Sequence, residues 1–476
     1  MAIAIALARV TARLMRLTSH HGTALPGVVA ERIDPTILAE LVDGLGPVVV
    51  VLGTNGKTTT TRLLATILER ASGAATVTNR SGANLRQGLV SALIGNGSPG
   101  PANGGAAAVF EVDELAFGGV VDALRPTTVV ILNLLRDQLD RYGEIDSVAE
   151  RWVADLARLP PDATIVTCGD DPRLEWIARR SRRTVRRFGL ASIGDVAGGG
   201  ASARAGTAEP GAPTADLPPC PRCSARVAFG PVSFGGLGDW TCPSCGASRM
   251  ELDLGVNLGE VHGGTSQCLS FVAPRGAPGS SAAREVRVAL TGSAAGYDVA
   301  AAILAATTVG VALDDAIAAV DGATPAFGRL EQLDVSDKHV VLTLAKNPAS
   351  LAQAAEAAVV RQPDALLVGL SDQPADGRDV SWIWDAALER LPSAPLLTLT
   401  GSRADDLLLR FKYAPKVAIP SAARRIEVQH AVDRAVDQSL ERVRPGGTLM
   451  VLATYTTLLA IRDLLERRGA ASVLPR

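Results

Sequence analysis

Aromatic residues are scarce, at 4% of the 476-residue chain, so an interior must be filled mainly by alanine, valine and leucine. Net charge is scarce as well: 47 basic against 49 acidic residues leave a formal −2. That excludes the basic excess that nucleic-acid phosphates usually require. No apolar run reaches the roughly 18 residues needed to span a bilayer. Six cysteines in so long a chain exclude a disulfide-built scaffold and point to a reducing, cytoplasmic compartment. Met1 to Ser19 lack the charged start of a signal peptide. They are apolar, with Arg9, Arg13 and Arg16 on roughly one helical face. A surface helix is the first reading, and a helix lying on a membrane surface is the minority one.

What is present is an alternation of strands and helices. A chain of this length accommodates two or three domains of about 150 residues. Pro47 to Leu52, Ala106 to Val112 and Thr127 to Leu132 read as buried strands, and Thr58 to Ala71 has helical spacing. The pattern predicts an α/β, doubly wound domain. Residues 191–219, and more briefly 273–284, are rich in Ala, Gly and Pro and read as linkers. Runs at Val340 to Leu344, Ala365 to Val368, Leu396 to Leu399 and Thr448 to Ala453 predict a second α/β domain. The expected division is a helical lead-in over 1–45, a central domain over 46–320 and a C-terminal domain over 321–476.

The first strand runs into Gly53-Thr54-Asn55-Gly56-Lys57-Thr58-Thr59 and then a helix. Glycines let backbone N–H groups turn around phosphate oxygens, and the helix N-terminus adds partial positive charge. Lys57 can reach the β- and γ-phosphates of ATP, and the Thr58 hydroxyl can ligate Mg²⁺. The eight-residue form of this loop begins with glycine where this chain has Val51, so the loop is a shorter variant. Phe110-Glu111-Val112-Asp113-Glu114 ends another strand, where a carboxylate can hold Mg²⁺. A solvated acidic loop is the alternative.

The loop resembles that of the Mur ligase family, which joins amino acids to peptidoglycan precursors. Leu25-Pro26-Gly27, Ile33-Asp34-Pro35 and Thr78-Asn79-Arg80-Ser81-Gly82-Ala83-Asn84-Leu85 narrow the resemblance to the MurT family. So do Arg136-Asp137-Gln138-Leu139-Asp140-Arg141 after Asn133, and Asp170-Asp171-Pro172. The resemblance implies a Mur ligase-like ATP-binding central domain in which Glu111 holds Mg²⁺. It also implies nucleotide-side roles for Asn79, Asn133 and Arg329, the last in the junction Pro325-Ala326-Phe327-Gly328-Arg329. In one place the chain departs from the family: Tyr297-Asp298-Val299-Ala300-Ala301 has Asp298 and Ala301 where two asparagines are usual.

Cys220-Pro221-Arg222-Cys223 and Cys242-Pro243-Ser244-Cys245 are two Cys-x-x-Cys knuckles separated by 18 residues. Four equivalent thiolates suit tetrahedral, structural Zn²⁺ in a ribbon inserted at about 215–250; a redox pair is the alternative. Cys168 and Cys268 read as ordinary buried thiols.

Asp376-Gly377-Arg378-Asp379-Val380-Ser381-Trp382-Ile383-Trp384-Asp385 packs two of the chain's five tryptophans beside three aspartates. By composition this reads equally as a helix start with Asp caps. Resemblance to the MurT family implies that one aspartate supports the Cys–His pair of a GatD-like class I glutaminase partner, with Asp379 leading and Asp376 and Asp385 behind. It also implies the reaction. ATP converts the D-glutamate α-carboxylate of the lipid II stem peptide to an acyl phosphate, ammonia displaces phosphate, and D-isoglutamine results. Proximity to the inner face of the membrane follows through the substrate. The rivals are a ligase of the Mur or folylpolyglutamate type that adds a whole amino acid, and a zinc-ribbon binding module with a vestigial ATP site.

Overall fold

The computed structural model describes residues 1–17, 24–79, 82–95, 105–137, 144–191, 219–232, 234–274, 284–324, 329–386, 388, 391–392, 396–413 and 425–472. Most of both expected linkers, the junction residues Pro325 to Gly328, the pair Arg80-Ser81 and the run Gln138 to Gly143 lie outside them.

Val48–Leu52 (β1) is aliphatic throughout and wholly buried, as a central parallel strand covered on both faces must be. It pairs in parallel with Ala108–Glu111 (β3) on one side and Thr128–Ile131 (β4) on the other. Val77–Thr78 (β2) flanks β3, and Thr164–Cys168 (β5) and Thr184–Leu190 (β6) continue beyond β4. The chain thus builds first to one side of β1 and then to the other. That reversal opens a crevice at the carboxyl ends of β1 and β4, where α/β sheets bind ligands.

Three further strands close this sheet: Leu254–His262 (β9), parallel to β6, then Ser266–Val272 (β10) and Arg284–Val288 (β11), both antiparallel. This antiparallel edge departs from the doubly wound expectation. Its strands mix apolar and polar positions, and periodicity alone does not separate such runs from loops. Helix Ser293–Thr308 is alanine-rich and almost wholly buried. Its small side chains let it pack closely along helix Lys57–Ser72 and over β4, β5, β6 and β9, which is where the scarcity of aromatics is accommodated.

The second sheet orders Arg425–Val428 (β16), Leu396–Thr400 (β15), Ala365–Gly369 (β14), Thr448–Ala453 (β17), Lys338–Leu344 (β13), Arg329–Val335 (β12) and Ala471–Ser472 (β18). Alternation along its strands feeds two cores. Val341, Leu366, Val368 and Leu452 face one, and Val340, Leu342, Leu367 and Val451 face the other.

Candidate active site

Gly53 and Gly56 take φ of 144° and 88°, which suit glycine. A Cβ on Gly56 would stand 2.1 Å from Asp298 Oδ1, so the residue must also be small. The loop is laced to the segment after β4. The Asn55 amide donates to Asn133 Oδ1 at 2.9 Å, and Asn133 Nδ2 donates to the Asn55 carbonyl at 3.0 Å. Thr54 Oγ1 donates to the Leu135 carbonyl and accepts from its N–H. Asn133 therefore sets the shape of the phosphate loop.

Asn79 plays a similar part for β3: its side-chain amide donates to the Glu111 carbonyl at 2.9 Å and accepts from the Glu111 N–H at 3.1 Å. Glu111, Asp113 and Glu114 are all buried beside the loop. Lys57 folds back, donating to the Gly53 carbonyl and pairing with Glu114 Oε2 at 3.2 Å. Glu111 is 4% exposed. A carboxylate at the end of β3, where Glu111 pairs beside Val51 just before the glycine-rich loop, is of the kind that holds a divalent cation. Thr58 is exposed at the helix N-terminus, so its hydroxyl is available. A cavity between the two sheets is lined by Asn55, Gly56 and Asp298 on one side and Thr343 and Gln353 on the other, with Leu237 of the cysteine-bearing segment in its wall. Asp298 thus stands against the glycine-rich loop at Gly56. Arg329 opens β12; its side chain lies outside the described residues.

The sulfurs of Cys220, Cys223, Cys242 and Cys245 lie within 4.8 Å of one another, with Cys220–Cys245 and Cys223–Cys242 at 3.6 Å. A tetrahedral zinc thiolate has sulfur edges of roughly 3.8 Å, so the four fit Zn²⁺. Each knuckle is a tight turn: the Ser224 amide donates to the Cys220 carbonyl and the Gly246 amide to the Cys242 carbonyl. Ala228–Val232 (β7) pairs with Gly238–Thr241 (β8), and this hairpin docks on the central sheet at Asp170. Asp170, wholly buried, accepts from Arg249, the Leu190 N–H and Tyr297 Oη at 2.7, 2.8 and 2.7 Å. Trp240 Nε1 reaches the neighbouring Gly169 carbonyl. Tyr297 and Leu237 both line the cavity, so the cysteine-bearing segment is tied to its wall.

The three C-terminal aspartates have different surroundings. Asp376 is buried and accepts from the Thr456 N–H at 2.8 Å, at the start of helix Tyr455–Arg467; burial raises its pKa. Asp379 is half-buried, and hydrogen bonding from the Ser381 hydroxyl, then from the Ser381 N–H, lowers its pKa. Asp385 pairs with Arg136 at 2.7 Å. Arg410 donates to the Ile383 and Ala386 carbonyls, fastening this turn to helix Ala404–Lys412. Besides Arg136–Asp385, the two sheets' loops meet through Lys346–Asp137 and through Asn55 and Asn347, whose amides lie 3.4 Å apart.

Residues 344–458 match the family described as MurT ligase C-terminal, and 51–202 match the Mur ligase middle domain. A lipid II isoglutaminyl synthase (glutamine-hydrolysing) subunit MurT from Streptococcus pneumoniae is 30% identical over 452 residues, 94% of this chain and 93% of its own length. The chain belongs to the MurT family. Its Staphylococcus aureus member of the same name is 27% identical over 98% of this chain and 97% of its own length. Among solved structures, the Thermotoga maritima MurF ligase in complex with ADP superposes with a TM-score of 0.61. It is 16% identical, covering 92% of this chain and 84% of its own, and shows the shared fold.

Within this MurT protein, sequence reasoning overlooked Glu114, Asp170, Asn347 and Arg249. Glu114 and Asp170 do lie in motifs that were singled out, but their roles depend on which distant side chains, Lys57, Arg249 and Tyr297, reach them. One expectation is corrected. Cys168 is a fully buried thiol, and burial pushes its pKa well up. Cys268, by contrast, is only partly buried and stands 3.5 Å from His262 Nε2. A strand alternates its faces, and β10 lies near the sheet edge, so a mid-strand cysteine there can face a neighbouring strand's side chain.

Proposed function

We propose that this chain is the ligase subunit of a glutamine-dependent synthase that amidates the D-glutamate α-carboxylate of lipid II to D-isoglutamine. The relatives' names and coverage support this, and so does one structural observation: the glycine-rich loop and Lys57 follow β1 directly, and Glu111 ends the neighbouring strand β3 beside Val51. A carboxylate is a poor acyl donor until it is phosphorylated. Backbone amides of the Gly53 to Thr59 loop and Lys57 would hold the phosphates of ATP in line with the acceptor. Lys57 would exchange Glu114 for the γ-phosphate and neutralise charge as it develops. Mg²⁺, when bound, supplies further neutralisation, with the Thr58 hydroxyl and the Glu111 carboxylate as its holders. Ammonia then attacks the acyl phosphate and inorganic phosphate leaves. Asn79 and Asn133 would act by shaping β3's end and the loop, Arg329 by reaching the nucleotide across the junction, and Zn²⁺ by holding the ribbon.

The ammonia would come from a GatD-like class I glutaminase. Among the described cysteines, none fits a glutaminase nucleophile: four converge on a metal-type site, Cys168 is buried and Cys268 is mid-strand. Asp379 is the proposed support for the partner's Cys–His pair, because Asp376 is buried and Asp385 is engaged by Arg136. The enzyme would work at the inner face of the membrane, where a lipid-linked substrate lies, with domains at 1–45, 46–320 and 321–476. The test is phosphate release and amidated product from the purified chain with lipid II, ATP, Mg²⁺ and ammonium. Turnover that needs an added amino acid instead of ammonium overturns the reading in favour of an amino-acid ligase.

A further inference from the structure

Helix Ala2–Leu17 turns one face inward and another to solvent. Ala4 and Ala8 are fully buried in the central core, where the helix packs on helices Leu25–Ile33 and Arg86–Gly95. Ile3, Leu7, Val10 and Leu14 follow a four-three-four spacing, which aligns them in a single stripe. They are 71%, 46%, 49% and 57% exposed. Single exposed aliphatics are ordinary; four aligned along one helix are a patch that asks for a partner.

Charge identifies the partner. Arg9 and Arg13 are exposed on the flank between the stripe and the buried face. The helix contains no acidic residue. On the next helices, Glu31 is paired with Arg86, and Asp34 with the N-terminal ammonium. An aliphatic stripe flanked by arginines, whose apolar stems let the charged heads reach upward, suits a helix lying in the headgroup region of an anionic bilayer. No described helix is long and apolar enough to cross a membrane, so this attachment is peripheral.

We propose that the outward face of helix Ala2–Leu17 binds anionic lipid surfaces directly, with Ile3, Leu7, Val10 and Leu14 entering the acyl boundary and the arginines meeting lipid phosphates. This goes beyond the amidation reading, since the contact needs no lipid II.

The test floats the full-length chain with vesicles of phosphatidylglycerol and phosphatidylcholine in equal parts. The chain should float with these, remain behind with phosphatidylcholine alone, and be released by high salt. Leu7→Glu/Leu14→Glu should lower the bound fraction at least about tenfold, and Arg13→Gln about fivefold. Both variants should keep the wild-type unfolding midpoint, because the substituted side chains are exposed. A wild-type chain that does not float, or a double variant that floats equally well, overturns the proposal. So does a double variant that floats normally but loses a partner subunit or a second copy on gel filtration, since the face would then be a protein interface. The vesicles lack lipid II, so failure here leaves the amidation reading standing, and failure of amidation leaves this one standing.

Discussion

Both sheets border the same cavity, yet their loops are built differently. The loop after β1 is held by reciprocal bonds to Asn133 and lies beside three buried carboxylates. The loop after β13 offers the partly exposed Lys346 and the cap Asn347, linked across the cavity by an ion pair to Asp137 and an amide pair at 3.4 Å, while the segment after β14 adds the Asp385–Arg136 pair. Groups that stabilise developing charge must be in place before the substrate arrives. Groups that close over a nucleotide must be held by bonds that water can replace at small cost. On the proposed function, the central half would be the chemical half, and the C-terminal half would close the site and face the partner.

The strongest test of that contrast is Lys57→Ala. Amidation driven by ammonium should fall by about 1,000-fold or more. The unfolding midpoint should fall too, because Glu114 is left buried without its partner. Adding Glu114→Gln should recover the midpoint and leave the activity lost; recovered activity would break the assignment of Lys57 to phosphate.

The C-terminal half predicts a different signature. In complex with the glutaminase, Asp379→Asn should lower glutamine-driven amidation at least about 100-fold, as loss of a histidine's supporting carboxylate does. Amidation with added ammonium should stay near wild type. Equal loss of both would move Asp379 into the ligase site and blur the division between the halves.

The cysteine-bearing hairpin lies outside this division and sharpens it. Chelating the metal, or Cys242→Ser, should loosen Leu237 and the Arg249–Asp170–Tyr297 cluster in the cavity wall. We expect ATP affinity, read by calorimetry, to weaken about tenfold, or ~1.4 kcal/mol. Metal analysis should give zinc; unchanged ATP affinity in the metal-free chain would detach the ribbon from the nucleotide site.

The smallest effect belongs to the closing contacts. Asp385→Ala removes an ion pair whose side chains are 26% and 38% exposed. Stability should change by less than ~1 kcal/mol and the KM for ATP by no more than about fivefold. A larger loss would make the C-terminal half as preorganised as the central one.

Local chemistry determined what could be read from the sequence alone. A glycine-rich turn between a buried strand and a helix, two Cys-x-x-Cys knuckles, and aliphatic runs of parallel-strand length each carry their requirement within a few residues. The loop at Gly53 to Thr59, the convergence of the four cysteines and the strands β1, β3, β4, β13, β14, β15 and β17 were legible for that reason. Tertiary structure decided which polar groups meet. Lys57 finds Glu114 across 57 residues, Tyr297 finds Asp170 across 127, and Arg136 finds Asp385 across 249. The sequence also left three candidate aspartates in one stretch, Asp379 leading by resemblance alone. Only the packing of helix Tyr455–Arg467 buries Asp376 and leaves Asp379 partly open, because burial and hydrogen-bond partners are set by elements far away in the chain.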